Sequence, residues 1–386
     1  MTAPTRPEFS WAQVCARRLE RHWLAAPSEN GTPADIVRAM CGAHAQVITA
    51  AELSVGIRTA RMSLAEVRRA LWEDATLVKA FGPRGTVHLL PADDLSLWTG
   101  VLGAISPAAA PGGGFLTAAQ TDQVVEAIAE ALGDGELTVD ELGGAVIGQT
   151  GAWAGEFVMP AFQGMWPRWR AALTTAGYRG ALCFGPNRGR LATYRRPAGI
   201  VPGFRPADAA TATAWLVRSY LHAYGPATPA HFAQWLGASR TWAAEVFDSL
   251  AGELAPVTVE GAPAWVASGD TRTPVAEPSG TRLLPYFDAY VVGGRPRSLL
   301  FPGQASKRAL ARGQAGNFPV MLVDGVVGGV WHLRRSGRRV DITVEAFGRL
   351  LPAQVDELGL QAERIGTYLG SESRLTLGPV NAGGHA

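Results

Sequence analysis

The chain has 386 residues, 47% of them hydrophobic, enough for about two to four well-packed domains and inconsistent with wholesale disorder. Its 35 Lys and Arg against 33 Asp and Glu leave a net charge of only +2, so a case for a polyanionic partner rests on where positive charge sits and not on how much there is. Cys15, Cys41 and Cys183 form no CxxC or zinc spacing and fit a reduced cytosol, and no apolar run approaches a secretory leader or a membrane span.

In chain order, residues 9–26 read as a helix with Trp11, Val14, Leu19 and Trp23 near one face. Thr32 followed by Pro33 starts a second helix, and Gly42 is its stop. Ser63, with Glu66 three residues on, opens a third over 63–73. Strands at 77–81 and 86–90 follow, joined by Gly82-Pro83-Arg84-Gly85.

The plan repeats from 117 to 196. Thr117 and Thr138 each start a helix, a Trp-rich helix spans 156–176, and strands at 180–184 and 190–194 flank Gly185-Pro186-Asn187-Arg188-Gly189. Trp153, Trp166 and Trp169 are read as core of this unit, a base-stacking role needing exposure that sequence does not show. A third unit runs from 207 to 268, where Ala227–Gly237 reads as the first helix and turn of a helix-turn-helix and Val259-Glu260-Gly261-Ala262-Pro263 as a third hairpin turn. Segments 103–114, 197–206 and 269–280 are rich in Pro and Gly and read as linkers.

From 281 the pattern changes to strands, including 283–292 and 320–330, with Asp324-Gly325 a strong hairpin turn and a last helix over 352–370. The fold class is therefore α+β: winged-helix units over 1–102, 115–200 and 206–270, then a β-rich domain over 281–380. In a winged helix the third helix fills a groove while the wing reaches a backbone, which suits duplex DNA.

Basic residues on the wings and the C-terminal domain are the candidate DNA contacts: Arg84, His88, Arg188, Arg190, Arg295, Arg297, Lys307 and Arg308. Each has a plain structural alternative. A histidine on a half-buried strand, such as His88, is often structural, and the run from Gly293 to Arg312 can equally be a solvated loop. Of the 35 basic residues only Lys79 and Lys307 are lysines, a bias that GC-rich codon usage explains as well as phosphate binding does.

One segment does not fit a plain helix-turn-helix: Cys41-Gly42-Ala43-His44-Ala45-Gln46. If it is extended after the glycine stop, His44 and Gln46 face one space; if helical, they diverge by about 200°. His222 and His231 have no carboxylate or thiol at metal spacing, so no metal is expected, and Asp93-Asp94 reads as helix-start acids in place of a Mg²⁺ site.

Over nearly its whole length the chain resembles the winged-helix DNA glycosylases of the AlkZ and YcaQ type. The resemblance rests on Ala43–Gln46, Arg84–Asp94, Tyr224–Thr228, Leu283–Tyr290 and Val323–Trp331. It implies three tandem winged helices and a β domain forming a C-shaped DNA-binding cleft. It also implies a polar, hydrophobic, polar catalytic triplet, usually with Gln first, placed here on His44 and Gln46 with Ala45 between. A histidine in first place resembles AlkZ-like paralogues associated with clusters making bulky intercalating alkylators of the trioxacarcin or hedamycin type.

The implied activity is hydrolysis of the N-glycosidic bond of N7-alkylguanine, in base excision repair or antibiotic self-resistance. The implied enzyme is a monomer without cofactor, acting on double-stranded DNA in the cytoplasm at the nucleoid, with no membrane partner. Scarcity of lysine favours a monofunctional enzyme, since a lyase needs an amine nucleophile. The competing reading is a non-enzymatic winged-helix DNA binder, either a regulator or a drug-adduct binder.

Overall fold

Side chains three residues apart start several helices as expected. In the computed structural model, which describes residues 6–105, 114–161, 164–274 and 276–385, Thr32 caps Pro33–Ala39 reciprocally with Asp35. Ser63 and Glu66 do the same ahead of Leu64–Trp72. So do Thr117 with Gln120 and Thr138 with Glu141, opening Ala118–Leu132 and Val139–Thr150. Each box satisfies two backbone donors that the first helical turn leaves over. The expected linker 103–114 lies mostly outside the described residues.

The chain divides into two units: residues up to Arg69 with Val217–Trp235 and Arg240 onward, and Ala70–Leu216 with Leu236–Ser239. In the first unit the opening helix is shorter than 9–26. It spans Trp11–Arg21, capped by Ser10, and ends where Trp23 takes a φ of 50° and the amides of Leu24 and Ala25 turn back to the Leu19 carbonyl. Strand Glu8–Phe9 lies parallel to Leu254–Val259, itself hairpinned to Ala262–Ala267, and Phe9, Val14, Val257 and Val266 form the core between them. Rings of Tyr220, Tyr224, Phe232 and Trp235 pack at centroid distances of 4.9–6.1 Å, filling the space beside helix Pro229–Leu236.

The C-terminal part of this unit is a five-stranded sheet in the order Thr281–Leu284, Val320–Val323, Val326–Ser336, Arg339–Ala346, Glu372–Leu377. Neighbours are antiparallel except the last pair, which helix Pro352–Tyr368 connects in parallel. Asp324 and Gly325, at φ 48° and 82°, make the tight turn read from sequence. The expected strand over 283–292 is corrected: it stops at Leu284, and Asp288 caps a short helix, Ala289–Gly293.

In the second unit, strands Val87–Pro91, Leu77–Phe81, Cys183–Arg188, Leu191–Arg195 and Glu136–Thr138 lie in that order, so the hairpins expected as separate wings adjoin at Lys79 and Phe184. Val124, Ile128, Leu142, Val146, Trp169, Leu173 and Tyr194 build its core. The Trp-rich helix over 156–176 is not formed. Pro160 and Pro167 lack the amide a helix interior requires, and the segment is a hairpin, Phe157–Ala161 with Gly164–Pro167, followed by a 3₁₀ turn and helix Leu173–Tyr178. Of the three tryptophans expected in the core, Trp169 is core and Trp153 is partly buried, whereas Trp166 is exposed with the Arg170 guanidinium over its ring.

Besides Ala209–Tyr224 and the short helices Arg297–Leu300 and Gln304–Arg308, the helices Ile48–Gly56 and Leu95–Ala104 have no range in the sequence reading, the second marked only by its starting acids Asp93-Asp94. Both are apolar on nearly every side and largely buried, so they show no amphipathic period to detect. Among the described residues no helix is long and apolar enough to cross a membrane.

Candidate active site

The segment holding His44 lies between two helices of the first unit. Helix Pro33–Ala39 ends at Met40, and Cys41 and Gly42, at φ 53° and 91°, reverse the chain. Ala43 and His44 are then extended, Gln46 lies in a bend, and Val47 leads into Ile48–Gly56. The extended run expected to carry both polar residues is thus only two residues long. His44 is 8% exposed, whereas Gln46 is exposed.

What the structure brings to His44 is an aromatic ring. Its imidazole stacks on Phe287, with centroids 4.6 Å apart and planes inclined by 23°. Phe287 sits at a φ of 55°, a left-handed conformation unusual for a bulky residue, and its amide donates to the Gly316 carbonyl at 2.8 Å. Gly316 leaves room for it: a Cβ there would fall 2.9 Å from the Phe287 ring.

The next residue anchors this loop. Asp288 is fully buried and accepts two hydrogen bonds from the Arg58 guanidinium, both at 2.8 Å, one from the Ser54 hydroxyl at 2.8 Å and one from the Tyr290 amide at 3.0 Å. Burial alone would raise this carboxyl, but Arg58 and the other donors outweigh it and hold Asp288 below the usual carboxylate range. Ser54 belongs to helix Ile48–Gly56 and Arg58 follows it closely, so one buried ion pair ties the helix after the triplet to the loop bearing Phe287.

A second buried guanidinium serves the same neighbourhood. Arg18 donates to the carbonyls of Tyr224 at 2.6 Å and Arg295 at 2.9 Å, while the Tyr224 hydroxyl donates to the Met40 carbonyl at 2.7 Å, just ahead of the Cys41-Gly42 reversal. Sequence reasoning passed over Phe287, Asp288, Arg58 and Ser54 as site residues. A signal was present: a lone carboxylate inside Leu283–Val292, otherwise apolar or aromatic, must find a cation if it is buried.

The candidate DNA contacts divide in two. Arg190 and Lys307 are exposed. The others are partly or wholly engaged within the protein. Arg84 occupies the turn Pro83–Gly85 at φ 61°. His88 is buried, its Nδ1 3.0 Å from the Thr86 carbonyl, with Gly82 pressed against its ring. Arg188 pairs with Glu141, a carboxylate from a distant helix that the sequence did not place there. Arg295 bonds Gln234 and the Val292 and Gly294 carbonyls, and Arg297 bonds the Val291, Val292 and Gly294 carbonyls. Arg308 makes a two-pronged pair with Glu345. Among the described residues no group of His, Cys, Asp or Glu is placed to hold a metal ion.

This arrangement, an imidazole on a ring beside a short polar segment between helices, can be compared with known proteins. The model of the family described as DNA glycosylase AlkZ-like matches residues 37–368, spanning the triplet, the Arg58–Asp288 pair and the first four strands of the C-terminal sheet. The chain belongs to the AlkZ-like DNA glycosylase family. This AlkZ-like chain is 33% identical over 337 residues to an interstrand DNA cross-link repair glycosylase of Streptomyces sahachiroi, covering 84% of this chain and 88% of that relative. Its structure is similar to that of the Streptomyces sahachiroi DNA glycosylase AlkZ, with a TM-score of 0.79 at 28% identity, covering 96% of this chain and all of the other.

Proposed function

We propose that this AlkZ-like chain is a monofunctional glycosylase that hydrolyses the N-glycosidic bond of N7-alkylguanine in duplex DNA, bulky adducts included. The observation carrying the proposal is the His44 imidazole held flat on Phe287 two residues before an exposed carboxamide, Gln46. Alkylation at N7 makes the base a cation that departs neutral, so no strong acid is needed for the leaving group. The enzyme must place a water and tolerate an oxocarbenium-like sugar. A neutral imidazole can orient or deprotonate that water, and a glutamine carbonyl can hold it against the sugar.

Membership of the family supports DNA as substrate, and the cross-link repair activity named for the Streptomyces relative supports adducts larger than a methyl group. The helix and hairpin units are read as winged helices gripping the duplex in a monomer that works at the nucleoid, in repair or in self-resistance. Lysine scarcity supports hydrolysis over lyase chemistry. Lys79 is seated over the Phe184 ring, its Nζ 4.8 Å from the centroid, and burial lowers its pKa. Since a lowered pKa favours a nucleophilic amine, borohydride trapping of a covalent adduct that disappears in Lys79→Ala would overturn the monofunctional assignment.

The central test uses duplexes carrying N7-methylguanine or a bulky aromatic N7-guanine adduct, with released base and alkali-labile sites as readouts. The wild type releases both. The His44→Ala, Gln46→Ala double variant is expected to be slower by about 10²-fold or more, the usual scale for positioned acid–base groups. Parental rates in that variant would remove the assignment.

A further inference from the structure

Beside the triplet lies a cavity of about 390 Å³ that the proposed chemistry does not use. Its walls are apolar and aromatic, with Ala50 and Leu53 from helix Ile48–Gly56 on one side and Tyr286, Trp331 and Leu333 on the other. Val47, immediately after Gln46, also lines it. On the histidine side a run of rings reaches it: His44 stacks on Phe287, Phe287 meets His385 edge-on at 5.4 Å, and His385 meets Tyr286 at 5.8 Å. Tyr286 and His385 are themselves part of the cavity wall.

The charge at its margin is positive on balance. Arg68 and the exposed Arg335 both line it, and Glu52 is neutralised by the two-pronged pair with Arg68. The volume falls within the range of small-molecule sites, which combine apolar walls with a few convergent polar groups. Aromatic walls favour stacked or edge-on flat rings. With Arg68 committed to Glu52, it is the exposed Arg335 guanidinium that favours an anionic or carbonyl substituent.

We propose that this cavity is a subsite for a flat aromatic group with an anionic or carbonyl substituent, carried on the damaged guanine as part of its adduct. The source of the ring rests on the glycosylase reading above, whereas the aromatic site itself does not. With the adduct's ring seated there, the sugar is steered toward the segment bearing His44 and Gln46, so the cavity sets which adducts are preferred.

The test uses 8-anilinonaphthalene-1-sulfonate, an anion built on a flat naphthalene ring, as fluorescent probe on the full chain. Ala50→Phe fills the cavity from the helix side, and Arg335→Glu reverses the charge at its exposed margin; circular dichroism checks that each folds. Probe affinity is expected to fall at least tenfold in Ala50→Phe and several-fold in Arg335→Glu. The ratio of kcat/KM for a bulky aromatic N7-guanine adduct over N7-methylguanine is expected to fall at least tenfold in Ala50→Phe. Unchanged probe affinity in both variants would overturn the site. Weakened probe binding with an unchanged excision ratio would overturn the adduct as its occupant and point to a free aromatic molecule. If the wild type released neither base while the variants still lost the probe, the glycosylase reading would fall and the aromatic site would stand.

Discussion

The imidazole of His44 lies almost parallel to the ring of Phe287, with 4.6 Å between centroids. Stacking of this kind fixes the plane in which both ring nitrogens lie, and with it the directions in which they accept or donate a proton. Phe287 is therefore a positioning residue, and it is itself held by the Phe287–Gly316 backbone bond and by its neighbour Asp288.

Replacing Phe287 tests whether the plane matters. Phe287→Leu keeps apolar volume but removes the flat face, and single-turnover excision of N7-methylguanine is expected to slow by about tenfold, less than the roughly 10²-fold that a 1 Å misplacement can cost. KM is expected to hold, the pH–rate profile to broaden, and Phe287→Tyr to restore both rate and profile. A Leu variant with wild-type kcat and profile would show that the ring serves packing alone.

The Arg58–Asp288 pair, with both side chains fully buried, carries a stability prediction. Asp288→Asn leaves the guanidinium without its counter-charge and is expected to cost about 3–5 kcal/mol, whereas removing both charges with well-packed apolar residues costs much less. Urea unfolding of Asp288→Asn and of an Arg58→Met, Asp288→Leu double variant measures the difference. A double variant as unstable as the single one would contradict the pairing argument.

Acid should weaken the fold through His22. Burial, aided by Arg58, pushes its pKa from 6.5 to about 3, and its Nε2 lies 3.0 Å from the Ala223 carbonyl, so it is neutral when folded. The unfolded chain takes up the proton near pH 6.5 and the folded chain does not. This contribution is therefore fully present above pH 6.5 and is lost as pH falls toward 3, by about 1.4 kcal/mol per pH unit. Between pH 6.5 and 4, Tm is expected to drop less steeply for His22→Gln than for wild type. Equal slopes would remove His22 as the cause.

The candidate DNA contacts should separate by what they already touch. Arg190 and Lys307 are exposed, so Arg190→Ala and Lys307→Ala are each expected to lower the salt-dependence slope of duplex binding by about 1 while leaving Tm in place. Arg308 is committed to Glu345 and the Val380 carbonyl, so Arg308→Ala is expected to lower Tm and leave the slope unchanged. Filter binding across a salt series, alongside thermal unfolding, reads both. A slope change in Arg308→Ala alone would reverse the assignment.

What the chain carries in its own neighbourhood was readable in advance. Capping at Thr32, Ser63, Thr117 and Thr138 depends on residues three apart, and the Asp324-Gly325 turn depends on adjacent ones. The halt at Gly42 that isolates the His44 segment is equally local. The tertiary structure decided everything that joins remote positions. Arg58 and Asp288 meet across 230 positions, Phe287 becomes the floor under His44, and Glu141 takes up an arginine that the bare charge pattern left open to a phosphate. Composition and period report which residues prefer burial or a turn, but a buried charge or ring acquires its partner only when chain closure brings the two together.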